Sequence, residues 1–412
     1  MIAVGLVGAG SMGRGLFRQI AMTPGMNCMA LADIKIERAI ACAQELGRPY
    51  RIVDSLEPMH EAVKNDYLAI SEDGTLLAQC EQVEVLIEAS NSIAPAGKIC
   101  ETALRLGKHV IMMNSEADLT FGPHLMELSH KNQVVYTSCD GDQHGVLARL
   151  IDEITLWGFD LVLAGNIKGY LDRYSNPTAI IPEADKRNLD YNMATAYTDG
   201  TKLSIEMALL ANAYNLRADV PGMWGPAAKD VREALNLFDL ERIWKSGQPV
   251  VDYLLGAEPG GGVFVIGRSE DPYQREMMHY YKMGDGPFYL FYRPYHLCHV
   301  ESMRCISEAA RERRSLLEPT YGFRTNVYTY AKRDLEEGSL LDGLGGYSTY
   351  GIIENEDANR ERPGLPICLS GALKLRCNIK RDEKIYFDQV LVNSDREDFI
   401  LFSKSMKMDF VM

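Results

Sequence analysis

Paired cysteines, membrane-length apolar runs, an excess of positive charge and low-complexity tracts are all missing from this chain. Its nine cysteines are odd in number and form no C-x-x-C pair. That excludes the common zinc and dithiol motifs and suits reduced thiols. No apolar run reaches the roughly 20 residues that a membrane helix needs. The first apolar stretch lacks a charged leader and is broken by glycines, unlike a signal peptide. Lys and Arg number 43 against 57 Asp and Glu, a net charge of −14. This argues against nucleic acid or an anionic membrane as the main partner. An anionic small molecule remains compatible, because a local basic pocket can coexist with an acidic surface. Serine nucleophile elbows, zinc-finger spacings and P-loops are also absent. The expectation is a cytoplasmic protein whose partner is a small molecule.

What is present begins at residue 2. The β-branched run Ile2–Val7 runs into Gly8-Ala9-Gly10-Ser11-Met12-Gly13, and a helical pattern follows. The next apolar run ends at Asp33. Gly8 permits a tight turn, Gly10 lets a pyrophosphate approach the backbone, and Gly13 lets helix and strand pack closely. The helix start offers unpaired N–H groups to phosphates, and Asp33 can accept from a ribose diol. The pattern predicts dinucleotide binding through Gly8, Gly10, Ser11, Met12, Gly13 and Asp33. An acid at Asp33 favours NAD, while Lys35 and Arg38 nearby leave NADP open.

With 412 residues the chain can form two or three domains. Strand candidates Ile2–Val7, Cys28–Ala32, Val83–Glu88, His109–Met113 and Val134–Ser138 alternate with helices. The predicted class is α/β: an N-terminal Rossmann domain, a doubly wound parallel sheet, over residues 1–145. Ser90, Asn91 and Asn114 follow strands, where such sheets bind ligands. A central α+β domain is expected over 146–325, with a helix near 296–314 packing back on the first domain. A small β-rich domain is expected over 326–412. In that last region VYTYAKRDLEEGSLLDG and LKLRCNIKRDEKIYFDQV are similar at an offset of about 44 residues, which suggests two related hairpins.

Five constellations could carry chemistry. Glu116, in Asn114-Ser115-Glu116, follows a strand and could bind a metal or orient a substrate hydroxyl. Asp142 and His144 lie in a polar loop around two glycines. Lys168, in Asn166-Ile167-Lys168-Gly169, closes a strand and could reach into a cleft. Lys202 opens an amphipathic helix at a position the helix dipole disfavours, beside Asp199. It is the first choice for the acid/base that serves a carbonyl oxygen, with Lys168 next. Arg293, in Tyr292-Arg293-Pro294-Tyr295-His296, suits bidentate capture of a phosphate or carboxylate.

GLVGAGSMG, GKHVIMMNSEADL, GDQHG, DGTKLSIEMALLAN, YRPYHL and AKRDLEEGSLLD resemble homoserine-dehydrogenase-like oxidoreductases with a C-terminal SAF-type module, a group that includes 1-deoxy-D-xylulose 5-phosphate reductoisomerase-like enzymes. The resemblance runs over nearly the whole chain. It implies an NAD(P)-dependent reaction, a dimerising central domain, hence a homo-oligomer, and a SAF-like tail. By motif position it implies that Glu116, Lys168, Lys202 and Arg293 line the substrate pocket, with Asp199 beside Lys202. Asn166, Asp142 and His296 are carried with them as substrate contacts. Homoserine dehydrogenases carry a lysine where this chain has Ser115-Glu116.

The leading expectation is hydride transfer between a nicotinamide and a small polyhydroxylated, phosphorylated substrate such as a sugar or polyol phosphate. The reductoisomerase version rearranges a ketose phosphate and reduces the resulting aldehyde. A divalent metal, Mg or Mn, could hold vicinal oxygens through Glu116 and Asp142. The alternatives are a homoserine or hydroxy-acid dehydrogenase, and a non-catalytic NAD(P)-sensing interaction protein.

Overall fold

The computed structural model describes residues 1–187, 189–356 and 362–407. The end of the expected tail domain, 408–412, lies outside them. The chain forms two compact units, both discontinuous. One holds Met1–Asp142, Leu297–Glu318 and the residues from Ser394 on. The other holds Gln143–His296 and Pro319–Asn393.

The first unit is built on a seven-stranded parallel sheet. Its strands are β1 (Ile2–Val7), β2 (Met26–Ala32), β3 (Tyr50–Ile52), β4 (Leu68–Ser71), β5 (Val85–Glu88), β6 (His109–Met112) and β7 (Tyr136–Ser138), in the order β3-β4-β2-β1-β5-β6-β7. Every residue of β1 is buried, because helices cover both faces of a central parallel strand. The strand order reverses between β1 and β5, the switch point where such sheets bind ligands. Val7 pairs with Ala32 of β2 and with Glu88 of β5. The loops after these three strands therefore open at one level. Two strands, β3 and β4, are absent from the sequence reading. β3 is an edge strand with Arg51 and Ile52 exposed, and β4 is a four-residue run without the longer apolar flanks that marked β5 to β7.

Two distant segments complete this unit. The helix Cys298–Ser307 packs on the helix Ser11–Met22, with the His299 ring 2.7 Å from where a Cβ on Gly15 would stand. The helix Glu397–Met406 packs on Ser115–Lys131. Cuts at 145 and 325 thus give way to cuts after 142, 296, 318 and 393, because two late helices carry apolar faces that the first sheet's helices bury.

The second unit has a five-stranded mixed sheet of β8 (Asp160–Lys168), β9 (Arg217–Ala218), β10 (Val250–Leu255), β11 (Val263–Arg268) and β12 (Phe288–Arg293), in the order β12-β11-β8-β10-β9. The antiparallel pair β13 (Thr325–Ala331) and β14 (Thr349–Asn355) packs on the helix Thr201–Tyr214. That helix is buried on nearly every side, not amphipathic as expected, because the sheet side and the β13–β14 pair enclose it. The segment 319–393, which carries the small antiparallel sheets, is grouped with the second unit. Within it Leu335 and Ile379 exchange N–H···O bonds of 2.8 and 2.9 Å. These are equivalent positions of the internal similarity, paired across one another.

Candidate active site

In the first unit the turn after β1 has the expected build. Gly8 has φ +97°, and a Cβ there would stand 2.7 Å from the Ala89 backbone. A Cβ on Gly13 would stand 1.9 Å from the Gly8 carbonyl oxygen, whereas one on Gly10 would meet nothing within 4 Å. Gly10 is the N-cap of the helix that starts at Ser11 and Met12, and no side chain caps that end. The bare cradle and exposed N–H groups fit a pyrophosphate. Asp33 is buried, and it does more than face a ribose. Its Oδ2 accepts from Ala9 N at 2.7 Å and its Oδ1 from Lys35 N at 2.8 Å. One lone pair on each oxygen remains for a diol.

The loops after β5 and β6 are tied together. Asn114 caps the helix Ser115–Lys131 by accepting from Ala117 N at 3.0 Å, and its Nδ2 donates to Ser92 O at 2.7 Å. Ser90 Oγ accepts from Ser92 N, and Asn91 is exposed. Beneath them lies Glu88, fully buried. Its Oε1 accepts from Ser90 N at 3.1 Å, and among the described residues its Oε2 has no hydrogen-bond partner. Burial pushes this carboxyl up to about 7, against the pull of hydrogen bonds from Ser90 and Asn114. The sequence reading passed over Glu88 as an ordinary strand residue. Glu116 and Asp142 are both buried in this unit, and Ser115 Oγ donates to Glu116 Oε2 at 3.3 Å. Among the described residues no group of three metal-ligating side chains includes Glu116.

The second unit gathers charges. Lys168 ends β8, and Asn166 sits two residues earlier on the same strand face, fully buried. Lys202 and Glu206, both buried, lie one turn apart on the helix Thr201–Tyr214. Asn166 Nδ2 donates to Glu206 Oε2 at 3.3 Å and to Gln143 Oε1. Its Oδ1 has no partner among the described residues. Burial pulls the Lys168 ammonium below the ordinary lysine range, with Glu206 and Asp199 pulling it back up. Such a lysine gives up its proton more readily than an exposed one.

Asp199 is held by a residue the sequence reading missed. Its Oδ2 lies 2.9 Å from Lys332 Nζ in a fully buried ion pair, and its Oδ1 accepts from Thr201 N at 2.9 Å. Lys332 also donates to the carbonyls of Ser175 and Gly346 at 2.7 and 2.8 Å. Burial raises the Asp199 carboxyl, and Lys332 draws it down. Lys332 lies in AKRDLEEG, a stretch noted for the family resemblance and for its similarity to a later one, with no role given to the lysine. Arg293 stands over the Tyr295 ring at 4.9 Å. His296 Nδ1 lies 2.6 Å from the Gly261 carbonyl. A carbonyl only accepts, so Nδ1 carries the proton and Nε2 is the acceptor of the neutral ring. His144 is buried near the start of the helix Gln143–Leu156.

A parallel sheet with a bare glycine turn in one unit, and the buried Lys202 and Lys332 in the other, define an α/β protein equipped for a dinucleotide. Residues 141–302 match the family described as oxidoreductase DRL, catalytic domain. That match supports an oxidoreductase, and the glycine turn supports a nicotinamide dinucleotide as its cofactor. None of the curated proteins matches the chain. A DOX-P reductoisomerase structure with NADPH, fosmidomycin and magnesium is 15% identical, over 51% of this chain and 58% of that one, at a TM-score of 0.37. Myo-inositol dehydrogenase from Lactobacillus casei, with NAD(H) and myo-inositol, is 18% identical over 46% and 53%, at 0.32. A probable dehydrogenase from Thermotoga maritima is 12% identical over 98% and 86%, at 0.35. In the first two the chain spans little more than half of the other protein's length. No helix of the described residues is long and apolar enough to cross a membrane.

Proposed function

We propose that the chain is an NAD(P)-dependent oxidoreductase that transfers hydride between a nicotinamide and a small polyhydroxylated, phosphorylated substrate, with reductoisomerase chemistry as the finer reading. The observation that carries it is the cluster of Lys168, Glu206, Asp199 and Asn166. Hydride arriving at a carbonyl carbon leaves charge on oxygen, and a proton must reach that oxygen. Lys168 is taken as the group that delivers it: burial has lowered its hold on the proton, and it ends the strand that also carries Asn166. Lys202 is assigned to electrostatic support of the same oxygen. The unpartnered Oδ1 of Asn166 suits a substrate hydroxyl as donor.

The first unit takes the cofactor at Gly8–Gly13 and Asp33, with Ser90, Asn91 and Asn114 at the nicotinamide end. A divalent ion fits Glu116 and Asp142 only in part. Carboxylate oxygens suit Mg or Mn, but substrate oxygens and water would have to supply the other positions. When bound, the ion would polarise vicinal substrate oxygens. The same reading takes a second copy of the chain as partner, a cytoplasmic location, and Arg293, Asp142 and His296 as substrate contacts.

Lys168→Met should lower kcat by about 10²–10⁴-fold while NAD(P)H still binds. Lys202→Met should cost less. Stopped-flow oxidation of NADPH with ketose phosphates, measured on both variants, checks this. Greater loss in Lys202→Met would reverse the roles. No oxidation of NAD(P)H with any sugar phosphate by the wild type would leave the cofactor-sensing alternative.

A further inference from the structure

We propose that Arg173 is the docking point for the substrate's phosphoryl group, in a cleft beside the start of the helix Thr201–Tyr214. The proposal rests on reading the second unit as the one that binds substrate. The cleft is lined by Leu171, Arg173, Asp199, Gly222, Tyr253 and Gly351, among others. Arg173 is half-buried. Among the described residues no carboxylate pairs with it and no acceptor takes its protons. A guanidinium carries five N–H donors in a rigid fork, and on Arg173 none of them is engaged by a protein acceptor among the described residues.

The surroundings favour an anion. Gly222, at φ +79°, presents bare backbone, and the Arg173 Nη2 lies 3.4 Å from where its Cβ would stand. The positive charge of Arg173 acts on the Tyr253 and Tyr350 hydroxyls, drawing both phenols down against the effect of burial. The Tyr253 hydroxyl donates to no acceptor among the described residues. Gly200 and Ser204, at the start of the helix Thr201–Tyr214, line the same space, although the helix's first N–H, on Thr201, is already taken by Asp199. Asp199 is the one acid among the lining residues, and its charge is compensated by Lys332 at 2.9 Å.

The guanidinium fork, the phenol and the bare backbone of Gly222 line this one cleft. A tetrahedral phosphoryl group has three terminal oxygens to meet them, whereas a planar carboxylate has two. The cleft shares Asp199 with the lysine cluster. A substrate anchored by its phosphoryl group at Arg173 would therefore extend its hydroxylated end along the same helix toward Lys168 and Asn166.

The test is titration of inorganic phosphate into the full-length protein, with and without NADPH, followed by calorimetry or ³¹P line width. Wild type should bind phosphate with Kd in the millimolar range, and acetate should compete poorly. Arg173→Met should weaken phosphate binding by at least about tenfold, with Arg173→Lys in between, since it keeps the charge and loses the fork. NADPH affinity should be unchanged in both. If Arg173→Met does not fold, Arg173→Lys carries the comparison. Wild-type phosphate affinity in the folded variants overturns the proposal. So does no binding by wild type at roughly ten times a millimolar Kd, or acetate competing as well as phosphate. Phosphate binding that depends on Arg173, in a protein that transfers no hydride, would sustain this site and sink the oxidoreductase reading.

Discussion

The turn after β1 and the lysine cluster of the second unit are assembled on opposite terms. At the turn, every part lies within 33 residues of the N-terminus, and backbone does the work: absent Cβ atoms, N–H groups and one carboxylate that braces the loop. In the cluster, side chains do the work, and they arrive from β8, from the helix Thr201–Tyr214 and from the segment after β13. A site made of backbone is written as small residues at fixed spacing. A site made of buried charge is written as a balance, in which each ammonium needs a carboxylate that the linear sequence does not show.

Three measurements would break or sharpen that contrast. The largest effect is expected at the Asp199–Lys332 pair. Both side chains are almost wholly buried, so Lys332→Met leaves a carboxylate without its counter-charge. Breaking such a pair costs about 3–5 kcal/mol, read as a fall in the urea midpoint. Asp199→Asn added to Lys332→Met should return part of it. A loss under about 1 kcal/mol would mean that solvent reaches the pair and that the cluster does not depend on balance.

Next comes Glu88, a fully buried carboxyl on the strand next to the backbone-made turn. Its folded-state carboxyl titrates at about 7 against an ordinary value of 4.5. The folded protein therefore keeps this proton where the unfolded chain has lost it. Stability should fall as pH rises from about 4.5 to about 7, by roughly 3 kcal/mol, and then level off. Glu88→Gln should flatten that slope and be the more stable protein at pH 8 in thermal melts. An unchanged slope would assign the pH dependence to Asp118 or Asp252, whose carboxyls burial raises to about 6.

The smallest effect is expected at Asp33. Removing it deletes two hydrogen bonds to backbone and the acceptor for a ribose diol. Asp33→Ala should weaken NADH by about tenfold and NADPH by less, since the lost charge also repelled a 2′-phosphate. Equal losses would mean that Asp33 serves only to brace the turn.

Legibility follows the same division. β1, the glycine turn, Asp33 and the strand-end positions of Ser90 and Asn114 were readable, because apolar runs and turn residues are local signals. β3 and β4 were not: β3 is an edge strand with two of its three residues exposed, and β4 lacks the longer apolar flanks that marked the equally short β5 to β7. The helix Thr201–Tyr214 was misread as amphipathic, because nothing local announces that β13 and β14 will cover it. Lys168 and Lys202 stood out through their neighbours, a strand end and a helix start. Lys332 did not, since its partner Asp199 is distant in sequence. Arg293 attracted notice through its aromatic company, and the structure shows it stacked on Tyr295. Arg173, in an unremarkable LDRYSN, went unnoticed.

The helix Glu397–Met406 sets a timetable. It seats Leu401 beside Gly97 and Phe121, and Lys404 reaches Glu101 at 3.1 Å, all within the unit whose sheet is complete at Ser138. A ribosome adding about 5–20 residues per second needs roughly 15–50 seconds to pass from the last strand of that sheet to this helix. Throughout that interval the nascent sheet carries an apolar groove over Gly97 and Phe121 with no cover of its own. A chain stopped at Asn393 would carry the groove permanently, and chaperone dependence should track the length of that wait.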